Sequence, residues 1–287
     1  MIIDAHNHPD WHGHNLDKFL DNMGKNNIDV TWLLSWDAPM NEYSPSYLKV
    51  LSYYMGNGAI PFERCLNYKE RAPEKFVLGY CPDPRKPDGL DKLKAAVEIY
   101  GVKVCGELKL RMMYDNPDAI RMFRYCGEKG LPVTVHIDYE FPTGSDYPRP
   151  NWWYGGGIEA FERAVAKCPE TIFLGHAPGF WSHISNDGQY NKVSYPKGKV
   201  VAGGKVLKML DQYSNLYCDM SAGSGCNAFS RDPEFGKEFI IKYQDRLLYA
   251  RDDFNSELQD FINTLDLSTD VLDKIYYKNA IKLVPLD

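Results

Sequence analysis

Several familiar signals are absent from this sequence, and each absence narrows what the protein can be. No apolar stretch is long enough to cross a bilayer, and the first fifteen residues carry acidic and histidine side chains where a secretory signal has a basic start and an apolar core. Basic residues form no run or stripe, and the net charge is -6, which disfavours binding to nucleic acid. We therefore expect a cytoplasmic protein that binds neither membranes nor nucleic acid.

Closely spaced cysteine pairs and a glycine-rich nucleotide motif are also missing. The seven cysteines are an odd number, include no CxxC pair and fall mostly in apolar stretches, which predicts buried, reduced thiols. No GxGxxG turn follows the first strand-like run, which disfavours a doubly wound, dinucleotide-binding sheet. Hydrophobic residues make up 44% of the 287 residues, enough for a large core, so the chain is not a disordered one.

What the sequence does contain is an alternation of strand-like runs with helical stretches. Eight runs are rich in apolar, β-branched or aromatic residues, and they begin at residues 1, 30, 75, 104, 132, 171, 216 and 247. Between them lie helical patterns such as residues 90–100, where Leu90, Leu93 and Val97 share a face and Gly101 supplies the stop. This order predicts an α/β fold, a (β/α)8 TIM barrel that forms one domain over residues 1–287, with an open doubly wound sheet as the alternative.

The connections that leave the predicted strands are longer than those that enter them. Links into strands are as short as residues 101–103 and 130–132, whereas links out of strands include residues 37–61, 139–156 and 177–204. All strand exits of a TIM barrel gather at one end. Long strand-exit loops therefore predict one elaborate face, and we expect the functional site there.

Histidine and aspartate follow several predicted strands at the point where each strand ends. His6 and His8 of DAHNH lie two residues apart, so both side chains can face the barrel interior. His136, His176 and Asp252 each end a later strand-like run. Five such groups at one barrel mouth need a shared partner, because burying them unpaired is costly. A divalent metal is that partner; the donors suit zinc first, and manganese, iron or cobalt are also compatible.

With these residues in place, the sequence resembles the amidohydrolase superfamily of metal-dependent TIM-barrel enzymes. DAHNH, GHAPGFW, NLYCDMSAGSG and DRLLYARDDF are most similar to the amidohydrolase-2 branch, which includes the aminocarboxymuconate-semialdehyde decarboxylase-like enzymes. The resemblance implies that His6, His8, His136 and Asp252 hold the metal. It also implies that His176 acts as an acid/base or electrostatic group.

The fourth predicted strand leaves the number of metal ions open. In binuclear members of the superfamily a carboxylated lysine or a glutamate on this strand bridges two metals, and the histidine after strand six becomes a ligand. VCGELKL offers both residue types, Glu107 and Lys109, on the same strand face. Either Glu107 takes a role at the metal, as a candidate catalytic residue, or it forms an ion pair with Lys109 inside the barrel.

Residues of the predicted strand-exit loops are candidates for contact with a substrate. We select Trp11, Arg111, Tyr139 and Trp181. Loop aromatics can wall a pocket or simply pack on one another, and Arg111, like Arg231 and Arg251, can pair with a carboxylate. The glycine-rich residues 221–225 follow strand seven, where barrels often cradle anions. For His12, His14 and His183 in the same loops, a solvated or supporting role is favoured.

The predicted activity is hydrolysis of an amide, lactone or ester in a small organic molecule by a metal-activated water. Asp252 would take the proton of that water, and His176 would stabilise the developing oxyanion. The alternative, which the branch resemblance allows, is a lyase that decarboxylates or hydrates an unsaturated carboxylic acid. A binding protein on an inherited barrel is disfavoured because the ligand set is complete. The expected partner is a small-molecule substrate, and association into a homo-oligomer stays open.

Overall fold

The computed structural model describes residues 1–39, 42, 59–138 and 153–286, and parallel strands alternate with helices along them. The strands are β1 (Ile3–Asn7), β2 (Val30–Leu33), β3 (Phe76–Leu78), β4 (Cys105–Leu108), β5 (Val133–His136), β6 (Phe173–His176), β7 (Leu216–Asp219) and β8 (Leu247–Leu248). The α-helices are α1 (Leu16–Lys25), α2 (Phe62–Arg71), α3 (Gly89–Tyr100), α4 (Pro117–Lys129), α5 (Ile158–Lys167), α6 (Pro178–Trp181), α7 (Lys205–Gln212), α8 (Ala222–Ser230), α9 (Pro233–Tyr243), α10 (Glu257–Asn263), α11 (Thr269–Asp273) and α12 (Asn279–Leu283). A π-helical turn, Lys274–Lys278, joins the last two helices.

Backbone hydrogen bonds close the strands into a ring. Strands β1 to β3 pair in sequence order, and so do strands β4 to β8. The N–H of Tyr80 donates to the carbonyl of Val104 at 3.0 Å, and the N–H of Ala5 donates to the carbonyl of Tyr249 at 3.0 Å. These bonds join β3 to β4 and β8 to β1, so the sheet has no open edge at either place. The predicted (β/α)8 barrel is confirmed.

Alternate strand residues pack into two separate apolar layers. The inner layer fills the barrel and consists of Ile3, Ala5, Val30, Trp32, Leu34, Val77, Val104, Leu174, Tyr217, Leu248 and Ala250, joined by Ala280 and Val284 from the C-terminal part of the chain. The outer layer lies between the strands and the surrounding helices, and residues such as Phe76, Val133 and Phe173 contribute to it. This two-sided burial explains why the strand-like runs of the sequence are almost continuously apolar.

Two strands contain one extra residue just before they reach the barrel mouth. Strand β1 advances from residue 4 to residue 7 while its partner β2 advances from residue 31 to residue 33. Strand β4 advances from residue 105 to residue 108 while β5 advances from residue 133 to residue 135. Because side chains alternate along a strand, a bulge of one residue moves every later side chain to the opposite face.

The two bulges bring polar side chains into the barrel mouth. Ile3 and Ala5 of β1 and Val104 before β4 belong to the inner apolar layer. Simple alternation would continue with residue 7 and with residues 106 and 108. The bulges instead direct residues 6 and 8 and residue 107 inward. The apolar floor of the barrel thus gives way to imidazole and carboxylate groups at its upper end.

Helix α3, Gly89–Tyr100, matches the predicted helical residues 90–100, and one helix that was not predicted follows strand β7. Of the glycine-rich residues 221–225, Ser221 precedes helix α8 and the other four form its start. A Cβ atom on Gly225 would lie 2.1 Å from the Met220 carbonyl oxygen, so the glycine permits a close backbone approach there. Much of two predicted strand-exit loops, residues 37–61 and 139–156, lies outside the described residues. In the part of the chain that the structure describes, no helix is long and apolar enough to cross a membrane.

Two adjacent isoleucines of α9 test the outer apolar layer. Ile240 is completely buried in it, whereas 43% of Ile241 is exposed. We expect Ile240→Ala to lower the free energy of unfolding by about 2–5 kcal/mol, because it removes buried methyl groups and leaves a cavity. Ile241→Ala, the matched control, should change it by less than about 0.5 kcal/mol. Urea denaturation measures both, and equal losses for the two variants would contradict this packing.

Candidate metal centre

His6 and His8 stand at the exit of β1 with their Nε2 atoms 3.2 Å apart. The Nδ1 of His8 lies 2.8 Å from the Leu34 carbonyl oxygen, and because a carbonyl only accepts, this nitrogen carries the proton. The Nε2 of a neutral His8 therefore carries a lone pair. His6 Nδ1 lies 2.6 Å from Asp219 Oδ2. Both rings are buried and direct Nε2 toward one point inside the barrel mouth.

Asp252 lies next to the two histidines, although strand β8 ends earlier than predicted. The strand stops at Leu248, and Asp252 adopts a left-handed backbone with φ 49°, a conformation that costs about 1–3 kcal/mol for a non-glycine residue. Its N–H donates to the His6 carbonyl at 2.8 Å, and its own carbonyl accepts from the Trp11 indole at 3.0 Å. These bonds hold its Oδ1 3.3 Å from His8 Nε2.

The segment around Asp252 is fastened to the first strand by Asp4, the aspartate of DAHNH. Asp4 Oδ2 accepts from the Arg251 Nε at 2.8 Å, and Asp4 Oδ1 accepts from the Arg251 N–H at 2.8 Å. Asn7 donates from Nδ2 to Asp4 and to the Asp253 carbonyl at 3.1 and 2.8 Å. Arg251, which the sequence offered as a carboxylate partner for a substrate, is thus engaged by a carboxylate of the protein itself.

Glu107 and His136 meet on the opposite side of the mouth. Glu107 Oε1 lies 2.6 Å from His136 Nδ1, and Glu107 Oε2 lies 3.6 Å from His8 Nε2. The other ring nitrogen of His136, Nε2, lies 3.9 Å from Asp138 Oδ2. Lys109 Nζ stands 5.6 Å from the centre of a Trp36 ring and 5.8 Å from that of Tyr154. Glu107 therefore turns toward the histidine cluster.

His176 completes the cluster from the end of β6. Its Nε2 lies 3.7 Å from Asp252 Oδ2 and 3.6 Å from Glu107 Oε1. On the other side of the ring, Nδ1 lies 2.9 Å from the Ser221 hydroxyl oxygen. All five histidine and aspartate residues predicted from the strand ends, together with Glu107, are brought together at the barrel mouth.

Three buried atoms that face the common point have no hydrogen-bond partner among the described residues. They are Glu107 Oε2, His176 Nε2 and Asp252 Oδ1. Ligand atoms lie within 4.8 Å of one another in three overlapping groups: His6 with His8 and Glu107, His6 with His176 and Asp252, and Glu107 with His136 and His176. Buried polar atoms without a hydrogen-bond partner are rare, because taking them out of water costs free energy. This arrangement of nitrogen and oxygen donors fits a divalent cation such as zinc, manganese, iron or cobalt.

The electrostatic field of the cluster favours positive charge at its centre. Burial lowers the pKa of His6, but Asp219, Asp252 and Glu107 outweigh it and raise that pKa to about 10. Burial opposes ionisation of Asp252, yet His6 and His8 hold its pKa well below the usual range. His176 behaves differently, because burial dominates and lowers its pKa to about 4. Ionised carboxylates thus surround a point where a proton on His6, or a bound cation, is stabilised.

The predicted substrate-contact residues occupy different environments. Trp11 is buried beside the centre, with its ring 5.1 Å from that of His8. Trp181 is buried below it, donates from its indole to the Asp219 carbonyl at 3.0 Å and packs on Phe229. Arg111 follows strand β4, and its backbone N–H donates to Glu42 at 2.8 Å. Tyr139 lies outside the described residues. The two tryptophans therefore support the site from within the fold.

Asp219 is the important residue that the sequence analysis missed. It ends strand β7 in LYCD, is buried, and contacts His6 directly. The rule that selected His136 and His176, a polar residue at the last position of an apolar strand, would also have selected it. Trp36, whose ring lies 5.3 Å from that of His8, and Ser221, the first of the glycine-rich residues 221–225, also lie against the cluster.

Two of the three remaining loop histidines lie in ring stacks, and the third, His12, meets the Trp11 ring edge-on at 5.1 Å. The His14 ring stacks on Phe254 at 3.7 Å, and the His183 ring stacks on Tyr190 at 4.2 Å. Burial lowers the pKa of His183 to about 4. Both contacts agree with the supporting role favoured from the sequence.

Comparison with known proteins identifies a sequence family for almost the whole chain. The amidohydrolase-2 family model, described as Amidohydrolase, matches residues 3–286. A comparison with curated proteins found no match.

Solved structures share the fold at low sequence identity. An uncharacterised TIM-barrel protein from Bordetella bronchiseptica superposes with a TM-score of 0.66 at 14% identity, over 98% of this chain and 97% of the other. A dihydroxybenzoic acid decarboxylase from Polaromonas, with bound manganese and the inhibitor 2-nitroresorcinol, gives 0.57 at 16% identity over 93% and 85%. A probable 2-pyrone-4,6-dicarboxylic acid hydrolase from Acinetobacter baumannii, with bound citric acid, gives 0.59 at 12% identity over 98% of each. At these identities the likeness establishes the fold.

The buried imidazole of His183 leads to a pH-dependent contribution to stability. Its pKa in the folded chain, about 4, is lower than the ordinary value of 6.5. The unfolded chain therefore takes up the proton first, so this contribution is present above pH 6.5 and is lost as the pH falls toward 4. Between pH 7.5 and 5 the loss should be about 2 kcal/mol. His183→Gln should lose correspondingly less over that range in urea denaturation. An identical pH dependence in both proteins would contradict the assignment.

Proposed function

The chain belongs to the amidohydrolase-2 family, as its sequence motifs predicted, and from this premise we propose that it is a metal-dependent hydrolase of a small organic molecule. The bond that it cleaves is an amide, lactone or ester. The observation that carries the proposal is a set of three buried atoms at the barrel mouth that have no hydrogen-bond partner in the described part of the chain: Glu107 Oε2, His176 Nε2 and Asp252 Oδ1. A cytoplasmic location and association into a homo-oligomer stay predictions from the sequence.

His6, His8 and Asp252 are the proposed metal ligands with the closest mutual contacts. Their facing atoms lie 3.2 to 4.0 Å apart, and Glu107 Oε2 adds a carboxylate oxygen 3.6 to 3.9 Å from the two imidazoles. His136, which the family resemblance also implies as a ligand, joins through the group that it forms with Glu107 and His176. Zinc is the metal that we propose first, and the manganese in the Polaromonas decarboxylase makes manganese the next to test.

The proposed chemistry needs both an electrophile and a proton acceptor. A divalent cation, when bound, polarises a carbonyl and lowers the pKa of a coordinated water from 15.7 to about 7. Asp252 stays ionised beside His6 and His8, so its carboxylate can accept a proton from the attacking water and return it to the leaving group. His176 stays neutral near pH 7 and faces the same point through Nε2. Trp11 packs beside His8, and Trp181 donates to the Asp219 carbonyl, so both buried rings support these groups.

A lyase reaction on an unsaturated carboxylic acid is the second candidate. It is favoured by the decarboxylase among the structural neighbours, just as the pyrone hydrolase favours hydrolysis. Both reactions would use the same cation and the same two residues, Asp252 and His176, for proton transfer. Hydrolysis breaks a C–N or C–O bond and consumes water, decarboxylation breaks a C–C bond and releases carbon dioxide, and hydration adds water to a double bond.

Metal binding is the first test of the proposed site. Wild-type protein stripped with a chelator should bind zinc and manganese in titration calorimetry. His8→Ala should weaken that binding by more than about 100-fold, because loss of a ligand should exceed the 10- to 100-fold effect of losing a supporting contact. His14→Ala is the matched control and should bind as wild type does, since His14 stacks on Phe254 instead. Undiminished binding by His8→Ala would refute the proposed ligand set.

The reaction class is tested with metal-loaded enzyme and a panel of lactones, N-acyl compounds and unsaturated carboxylic acids. Hydrolysis should consume water and release an acid. Release of carbon dioxide would instead contradict the hydrolase proposal and support the lyase. Asp252→Asn should lower kcat by about 10²–10⁴ at saturating metal, because it removes the proton acceptor. Asp253→Asn, the adjacent control, should retain activity, since that carboxylate accepts from the Phe254 N–H. Full activity of Asp252→Asn would contradict the role of Asp252.

A further inference from the structure

Asp219 contacts two of the histidines at the candidate centre, and the proposed reaction gives it no role. Its Oδ2 lies 2.6 Å from His6 Nδ1 and 3.6 Å from His176 Nδ1. Its Oδ1 accepts from the Ser221 N–H at 2.8 Å, and its carbonyl accepts from the Trp181 indole at 3.0 Å. The side chain is fully buried at the end of β7. A single anchored carboxylate thus lies behind imidazoles that come from β1 and from β6.

For His6, this contact determines which ring nitrogen carries the proton in the neutral form. An ionised carboxylate only accepts hydrogen bonds. Oδ1 of Asp219 accepts a hydrogen bond from the Ser221 N–H, a contact that favours the ionised form of this carboxyl group. At 2.6 Å from Oδ2, Nδ1 of His6 must therefore be the protonated nitrogen. The Nε2 atom, which faces His8 and Asp252, is left with the lone pair.

For His176, the hydroxyl of Ser221 alone would leave the tautomer undecided. At 2.9 Å the hydroxyl can donate to Nδ1 or accept from it. Asp219 resolves this choice, because a bare Nδ1 would place its lone pair 3.6 Å from the carboxylate oxygen, whereas a protonated Nδ1 is attracted to it. The Nδ1–H form of His176 is thus favoured. Its buried Nε2, which lacks a partner among the described residues, then presents a lone pair to the cluster.

We propose that Asp219 is a positioning residue that fixes the Nδ1–H tautomer of both His6 and His176, so that both rings present Nε2 lone pairs to the metal. The inference rests on the proposed function, since it concerns the same site. It adds a consequence for His176, which in this tautomer accepts a proton or coordinates a cation through Nε2 and does not donate a hydrogen bond from that atom.

Asp219→Asn tests this inference with little change in shape. The neutral amide no longer attracts both Nδ1 protons, and its NH2 group can donate to Nδ1 and so favour the opposite tautomer. We expect zinc affinity to fall by about 10- to 100-fold in calorimetry, as for other carboxylates that orient metal-bound histidines. Asp211→Asn, on the exposed side of α7, is the matched control and should bind zinc as wild type does.

Nitrogen NMR of ¹⁵N-histidine-labelled protein reports which ring nitrogen carries the proton, a property that would not change if Asp219 only stabilised the fold. Metal-free wild type should show protonated Nδ1 in His176, assigned with His176→Gln, and Asp219→Asn should shift that ring toward Nε2–H. Wild-type zinc affinity in Asp219→Asn, or tautomers that do not change, would overturn the inference. Should Asp219→Asn fail to fold, an Nε2-protonated His176 in wild type would overturn it equally.

The same measurements separate this inference from the proposed function. If wild type binds neither zinc nor manganese, the metal proposal fails on its own. The tautomer of His176 can still be read in metal-free protein, because the contacts of Nδ1 with Asp219 and Ser221 do not involve the metal. If wild type binds metal and Asp219→Asn binds it equally well, only the role of Asp219 is lost.

Discussion

The barrel mouth is dominated by buried carboxylates that require positive charge among them. Glu107, Asp252 and Asp219 are held ionised although burial opposes it, and His6 lies close to all three. Like charges at such distances repel strongly where water is excluded. The fold can tolerate them only because imidazoles, the nearby Lys109 and a proton or cation at the centre compensate. The geometry of the site follows from this requirement.

The barrel brings the required imidazole and carboxylate groups together because two strands change which of their side chains face inward. Without the bulges, Asn7, Gly106 and Leu108 would face the barrel interior near the mouth, and His6, His8 and Glu107 would face the helices. The left-handed turn at Asp252 performs the same task at β8, and the Asp4–Arg251 pair holds it against β1. Backbone irregularities thus occur where the chain changes from apolar packing to charged chemistry. Such features are common beside functional sites.

The fold and most of the candidate site could be predicted from the sequence. The features that could not be predicted all depend on contacts with other parts of the chain. Periodicity predicts the strands and most helices because burial on one or two faces controls them, and the rule of polar residues at strand ends found His6, His8, His136, His176 and Asp252. The two β-bulges were not predicted, because strand register depends on the partner strand. Helix α8 escaped because the close packing of Gly225 on Met220 outweighs the low helix propensity of glycine. The Glu107–His136 contact was not predicted, because the spacing within one strand leaves a role at the metal and a pair with Lys109 equally open and does not show which residue of β5 lies opposite.

The contacts at the centre and those behind the histidines together explain why such a cluster would bind a divalent cation in preference to a proton. A proton on His6 supplies one positive charge at one ring, and it leaves Glu107 Oε2 and Asp252 Oδ1 without hydrogen-bond partners among the described residues. A cation would place two charges at the common point and satisfy donors on β1, on β4 and in the turn after β8 together. The Leu34 carbonyl orients His8, and that contact is independent of whatever occupies the centre. In the proposed metal site, the outer contacts would hold the imidazoles in the orientation that a cation needs, and the carboxylate oxygens would favour two charges over one.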